Sequence, residues 1–158
     1  MRIGFGYDVH KLEKGLKLIL GGVEIAFEKG LKGHSDADVL IHAIIDAILG
    51  SLALGDIGIL FPDNDNKYKN IDSRILLKKT NKIIQEKGYR IENLDTTICA
   101  QRPKLKKYIK KMRENIAQEL ETDISNVSVK ATTEEKMGIS GNEKGITAYA
   151  IILLNKRG

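Results

Sequence analysis

The sequence predicts an α+β fold, a single-layer mixed β-sheet with helices packed on one face. Three observations carry this. Apolar residues alternate with period two near both ends of the chain, internal stretches carry the helical period, and no repeat, linker or low-complexity tract interrupts them. The 158 residues are one domain's worth and can bury about 70% of the unfolded chain's surface.

The segment from Ile3 to His10 alternates and reads as a strand. Leu16 to Ile25, around Gly21-Gly22, predicts a second strand or hairpin partner. Residues 36–50 read as a helix entered through Ser35 or Asp36, with Ser35 and Asp38 at capping-box spacing. A turn-rich loop follows, from Gly55 to Asp65. Residues 72–87 form an amphipathic helix with Ile75, Leu76, Ile83 and Ile84 on one side and Gly88 as its stop. Leu94 to Ala100 predicts a strand. Pro103 suits the first turn of a helix running to about Leu120, its inward side formed by Leu105, Ile109, Met112, Ile116 and Leu120. Val127–Thr132 and Ile146–Leu154 are the last strands, giving the order ββααβαββ.

Composition excludes several classes. With 42% hydrophobic and 30% charged residues the chain is not wholly disordered. The single cysteine, Cys99, allows no internal disulfide and points to a reducing, cytoplasmic setting. The apolar stretch Val39 to Leu54 is broken by His42 and Asp46 and falls short of the roughly 20 residues of a membrane span. The N-terminus lacks a long apolar leader and reads as a mature domain start.

The net charge of +5 leaves nucleic acid, a phosphorylated small molecule or no specific partner open. Cations concentrate between Arg102 and Arg113, where Tyr108 is the sole aromatic, which argues against a stacking surface for single strands. A solvated helix face is the plain reading of most of them.

The chemistry-bearing residues are early. Asp8 and His10, two apart on a strand, leave the same face, and Gly4 and Gly6 on that face leave room beside them. Ile3, Phe5, Tyr7 and Val9 form the opposite, packed side by this reading. The helix over 36–50 is apolar nearly all round, except for the stripe Asp38, His42 and Asp46. Ionisable groups there are costly unless paired or metal-bound.

Asp8, His10 and His42 would give three N/O ligands with a fourth position open, the pattern of catalytic zinc. Asp46 would be the acceptor that orients His42. The alternative is a satisfied core histidine beside an ordinary strand end, and spacing alone leaves both open. Two loops, Gly55–Gly58 with Phe61–Asp65, and Lys130–Glu135, offer carboxylates, hydroxyls and backbone N–H groups suited to phosphate with a hard cation.

Taken together, these stretches resemble the 2-C-methyl-D-erythritol 2,4-cyclodiphosphate synthase family over essentially the whole chain. The resemblance rests on Gly6-Tyr7-Asp8-Val9-His10, on Gly33-His34-Ser35-Asp36-Ala37-Asp38-Val39 with His42-Ala43 and Asp46-Ala47, and on Leu54-Gly55-Asp56-Ile57-Gly58 with Phe61-Pro62-Asp63. It continues through Ala100-Gln101-Arg102-Pro103-Lys104 and Lys130-Ala131-Thr132-Thr133.

The resemblance implies one synthase domain over residues 1–158. It implies a lyase of the non-mevalonate isoprenoid pathway that closes a cyclodiphosphate from 4-diphosphocytidyl-2-C-methyl-D-erythritol 2-phosphate and releases CMP. By the family's pattern Asp8, His10 and His42 hold one zinc per chain, and Glu135 serves a second divalent ion, Mg²⁺ or Mn²⁺. His34 and Thr133 match transition-state stabilisers.

Substrate contacts match Asp8, Val9, His10, His34 and Ser35, then Asp56, Ile57, Gly58, Phe61, Pro62, Asp63, Asn64 and Asp65. They continue with Ala100, Gln101, Arg102, Pro103, Lys104, Leu105 and Lys106, and with Thr132, Thr133, Glu134, Glu135, Ile139 and Asn142. Residues 100–106 match the cytidine pocket, and Asp56 and Gly58 the ribose contacts. The family assembles as a homotrimer with active sites between subunits, without nucleic acid or membrane.

The chain departs from members that bind an isoprenoid diphosphate on the trimer axis. They place a Phe, an Arg and an acid where Ile139, Asn142 and Tyr149 stand, so weak axial binding is expected. Lys144, in a segment read as extended, would compensate in part. Two other classes remain as alternatives. A metal-dependent phosphohydrolase would release inorganic phosphate, and a basic nucleic-acid module would need a groove-reading helix or aromatic platform that the sequence does not show.

Overall fold

The period-two segments near both ends become neighbouring antiparallel strands of one sheet. The computed structural model describes residues 1–62 and 64–158. Strand β1 (Arg2–Lys14), the hairpin of β2 (Leu18–Leu20) and β3 (Val23–Ile25), and β4 (Lys29–Lys32) precede helix α1 (Val39–Ser51). Short helix α2 (Ile57–Leu60) and a 3-10 turn at Asn66–Tyr68 lead to α3 (Ser73–Glu86), β5 (Tyr89–Cys99) and α4 (Ile109–Glu119). A second 3-10 turn (Ile124–Asn126), β6 (Val127–Thr132), α5 (Gly138–Gly141) and β7 (Gly145–Lys156) follow.

The sheet runs β4-β1-β7-β5-β6, with β5 and β6 parallel and the other pairs antiparallel. Parallel neighbours need a crossover, and α4 supplies it. The mixed sheet and α+β class match the expectation, although β4 carried no signal of its own. Among the described residues no helix is long and apolar enough to cross a membrane.

The two faces of β1 are the reverse of the expected ones. Gly4 and Gly6 leave no empty room, because α1 fills it. A Cβ at Gly6 would overlap the carbonyl oxygen of Ala43, and one at Gly4 that of Ala47. The supposed packed side is exposed instead: Ile3, Phe5 and Tyr7 are 72%, 61% and 41% accessible. Backbone-to-backbone approach replaces side-chain packing on the inner face, and alternation alone does not say which face a helix covers.

Helix α1 begins three residues later than the sequence predicts. Ala37 has φ +57° and interrupts the helical path, and the predicted Ser35–Asp38 capping box does not form. Asp38 is the N-cap, its carboxylate accepting from Ile41 N at 3.1 Å, Gly21 N at 3.0 Å and Gly22 N at 2.7 Å. It therefore pins the β2–β3 turn to the helix rather than joining a stripe with His42. Burial, then the neighbouring Asp36, push its carboxyl up to about 6, against the three N–H donors.

Asp38→Ala would leave three N–H groups without partners, so we expect a loss of about 3 kcal/mol, with unpaired buried groups costing about 1–3 kcal/mol each. Urea denaturation reads it, and a change below about 1 kcal/mol would contradict this role.

Helix α4 also starts late. Residues 100–108 form a loop, with Ala100 N donating to Thr132 O at 3.0 Å and Tyr108 N to Leu105 O at 2.9 Å. Pro103 thus lies in this loop rather than in the first turn of α4. The expectation for α3 holds: Gly88, at φ +74°, follows its last turn.

Candidate active site

Strand β1 and helix α1 bring together the three residues that the sequence singles out. Asp8 Oδ2 lies 3.0 Å from His10 Nε2 and 3.1 Å from His42 Nδ1, and the two ring nitrogens are 3.1 Å apart. The close approach of Gly4 and Gly6 to α1 sets this spacing, because it seats β1 directly on the helix backbone.

The outer ring nitrogens are engaged elsewhere. His10 Nδ1 donates to Lys32 O at 2.8 Å, and a carbonyl only accepts, so the neutral ring presents the Nε2 lone pair to the cluster. His42 Nε2 faces the hydroxyls of Ser35 and Ser73 at 3.1 and 3.0 Å. Asp8 Oδ2, His10 Nε2 and His42 Nδ1 therefore converge, and Asp8, His10 and His42 form the group able to ligate a metal.

Burial pushes the Asp8 carboxyl up, but hydrogen bonds and charge from His10 and His42 outweigh it and hold it well below the usual carboxylate range. Burial lowers His10, and the Asp8 carboxylate more than restores it, so its net shift is upward.

Asp46 does not orient His42 as expected. Its Oδ1 accepts from Ile57 N at 2.7 Å and ties the 55–60 segment to α1. Burial pushes its carboxyl up. The hydroxyls of Ser35 and Ser73 occupy the place expected for Asp46, and Ser73 is held in turn by Asp36. The sequence does not mark Ser73, since a Ser at the start of a helix is ordinary capping chemistry, and it marks Asp36 only as a helix entry within the motif before Asp38.

A cavity of about 230 Å³ opens over the cluster, lined by Asp8, His10, Gly33, His34, Ser35, His42, Ile57, Phe61, Tyr68 and Leu76. His34 Nε2 is buried in it without a partner among the described residues. Phe61 meets Tyr68 edge-on, with ring centroids 5.4 Å apart. Pro62 follows Phe61 and is half-buried, Asn64 is exposed, and Asp63 lies outside the described residues. Asp56 caps α2, accepting from Ile59 N at 3.1 Å, and Gly58 is exposed. Asp65 caps the following 3-10 turn and pairs with Lys67 at 2.7 Å. Val9 turns its side chain to the outer face, opposite Asp8 and His10.

A second cavity, about 370 Å³, is lined by Ala100, Gln101, Pro103, Lys104, Leu105, Lys106, Ile109, Ala131, Thr132 and Thr133. It shares no lining residue with the first. The register shows why: His10 pairs with Ile146, while Thr147 pairs with Cys99 and Cys99 with Thr132. That is three interstrand steps, about 14 Å at ordinary sheet spacing.

Arg102 does not line the second cavity. Its guanidinium clamps Glu143 at 2.7 Å and Glu28 at 3.2 Å and lies over Phe27. Arg102 and Lys29 in turn draw the Glu143 carboxyl down to about 2. Glu134 accepts from Ser140 Oγ at 2.6 Å, and Glu135 from Thr133 Oγ1 at 2.9 Å. Glu135 is thus not brought to the Asp8–His10–His42 group within one chain. Ile139 is exposed, and Asn142 Nδ2 donates to Gly138 O at 2.7 Å. Asn142 caps α5 and Glu143 has φ +53°, so Lys144 follows a turn and not the extended segment expected.

Known proteins resemble this chain in sequence and in fold. The 2-C-methyl-D-erythritol 2,4-cyclodiphosphate synthase of Finegoldia magna is 64% identical over 157 residues, covering 99% of each chain. The structure of IspF from Plasmodium falciparum in complex with CDP superposes with a TM-score of 0.87 at 41% identity, over 99% of this chain and 97% of that one. The bifunctional IspDF of Campylobacter jejuni gives a TM-score of 0.94 at 44% identity, with this chain spanning 42% of that longer one. Residues 1–155 match the YgbB family. With that match and those relatives, the chain belongs to the YgbB family of 2-C-methyl-D-erythritol 2,4-cyclodiphosphate synthases.

Proposed function

We propose that the chain converts 4-diphosphocytidyl-2-C-methyl-D-erythritol 2-phosphate to 2-C-methyl-D-erythritol 2,4-cyclodiphosphate and CMP, as a lyase of the non-mevalonate isoprenoid pathway. The observation that carries this is the convergence of Asp8, His10 and His42 beneath a cavity holding a His34 nitrogen without a partner among the described residues, in a chain 64% identical to a synthase of that name.

In the reaction an oxygen of the 2-phosphate bonds to the β-phosphorus, the bond from that phosphorus to the CMP oxygen breaks, and CMP leaves with its electron pair. Neither water nor a protein nucleophile is consumed. The protein's work is therefore positioning and charge stabilisation.

Asp8, His10 and His42 would hold one zinc per chain, and Glu135 would serve a second divalent ion, Mg²⁺ or Mn²⁺. Such ions supply Lewis-acid withdrawal of charge from phosphate oxygens. His34 and Thr133 offer donors to the phosphoryl oxygens as negative charge builds. Ser35 lines the same cavity and adds a hydroxyl. The 100–106 loop would take the cytidine, with Lys104 at the cavity wall facing the diphosphate, while Asp56 and Gly58 would contact ribose.

The two cavities share no lining residue within a chain, and this supports a site completed by a neighbouring copy. The exposed Ile3, Phe5, Tyr7, Tyr149 and Ile151 on the outer sheet face support the same reading, since an apolar patch of that kind marks an association surface. We therefore propose a homotrimer with active sites between subunits. A cytoplasmic setting fits the single buried Cys99.

One experiment tests the reaction: incubation with substrate and divalent metal, followed by resolution of the products. CMP and the cyclodiphosphate are expected, with chelation stopping turnover and zinc plus Mg²⁺ restoring it. Inorganic phosphate as the product would favour a phosphohydrolase, and a monomer by light scattering would rule out the shared site.

A further inference from the structure

His42 turns its second ring nitrogen away from the ligand cluster, into a pair of hydroxyls that the proposed chemistry does not require to be there. Of these, Ser73 opens α3 and is fully buried. Its hydroxyl hydrogen is committed, because it donates to Asp36 Oδ1, while Ser73 N donates to Asp36 Oδ2 at 2.9 Å. A hydroxyl carries one hydrogen. Ser73 Oγ can thus meet His42 Nε2, 3.0 Å away, only as an acceptor, and Nε2 must carry the proton. The lone pair is then on Nδ1, the atom 3.1 Å from both Asp8 Oδ2 and His10 Nε2.

Asp36 is itself held rigidly. Its Oδ1 also accepts from Asp38 N at 3.1 Å, and its own N–H donates to Ile71 O at 3.1 Å. One carboxylate thereby joins the N-termini of α1 and α3.

We infer that Asp36 and Ser73 are positioning residues that hold His42 in its Nε2-protonated tautomer, so that metal affinity depends on the docking of α3. This rests on the metal reading of Asp8, His10 and His42. A neutral imidazole has two tautomers, and the wrong one would aim an N–H at the metal position. Ser35 has a different part. Its Oγ accepts from Ala37 N at 3.3 Å, and with the His42 proton engaged by Ser73 it keeps its own hydrogen for the cavity it lines.

The test has two readouts, neither of which needs turnover. In metal-free protein at alkaline pH, ¹H–¹⁵N spectra of the imidazoles should show His42 protonated on Nε2 in the wild type and a mixture of tautomers in Ser73→Ala. A wild-type ring protonated on Nδ1 overturns the inference. In zinc titrations against a competing chelating dye, Ser73→Ala should bind about 10–100-fold more weakly, the usual cost of losing a partner of a ligating histidine. Ser35→Ala should stay close to wild type.

If Ser73→Ala fails to fold by circular dichroism, Asp36→Asn decides, since its NH₂ must oppose either the Ser73 N–H or the Ser73 hydroxyl. It too should weaken zinc, and wild-type affinity in the folded variant overturns the inference. A wild-type protein without zinc affinity would refute the metal reading, and the tautomer would still decide the relay.

Discussion

His42→Ala is expected to abolish metal loading and to lower kcat by about 10³-fold, while leaving the fold intact. The side chain reaches the cluster from α1, whereas Asp8 and His10 come from β1, so its loss removes the one ligand that joins helix to strand. Two ligands remain, too few for the three-ligand pattern of a catalytic site. Charge withdrawal by a metal is worth several kcal/mol, and about 4 kcal/mol corresponds to about 10³-fold in rate. His42 is 8% exposed at the cavity floor, so truncation enlarges a solvent-reachable space rather than emptying the core. Elemental analysis of the purified variant, with a thermal melt as control, reads both halves. Full zinc occupancy in folded His42→Ala would overturn the ligand assignment.

Gly6→Ala, like Gly4→Ala beside it, is expected to be strongly destabilising. The new Cβ would overlap the Ala43 carbonyl oxygen and stand 2.7 Å from Ala47 N, both backbone atoms of a buried helix. Neither can rotate away, so β1 must lift from α1. Overpacking of this kind costs about 3 kcal/mol. For a domain of this size that lowers Tm by on the order of 10 °C.

The same displacement separates Asp8 and His10 from His42, so zinc affinity should fall together with stability. Gly50→Ala is the matched control. Its Cβ meets only Phe5 O at 3.8 Å, an ordinary contact, and replacing a helical glycine there should stabilise by up to about 1 kcal/mol. Equal and small effects of the two substitutions would show that β1 does not rest on the helix backbone.

The ligand set was legible because each member broke a local pattern. A histidine on a helix otherwise apolar on every side calls for a partner, and an acid and a histidine two apart on a strand share a face. Asp38 and Asp46 broke the same helical pattern for other reasons, one to cap the helix and hold the Gly21–Gly22 turn, the other to anchor Ile57 N. Sequence could not separate these uses, because an isolated carboxylate looks the same whether it accepts backbone N–H groups or supports an imidazole. The partnership of Ser73 with Asp36 left no trace, since it spans 37 residues and each residue alone suits the turn or helix end it occupies.

By itself the sequence determined the mixed α+β sheet, the strand and helix that carry the site, and the identities of Asp8, His10 and His42, because periodicity and broken periodicity are local properties of a chain. Tertiary structure alone decided which face of β1 meets the helix, how far α1 and α4 extend, which hydroxyls face His42, and that the 100–106 loop opens a cavity apart from the Asp8–His10–His42 cluster. Those outcomes depend on steric fit and hydrogen bonds between segments distant in sequence. No local pattern records them, since two glycines read equally well as open space or as the close seat of a helix until the helix is in place.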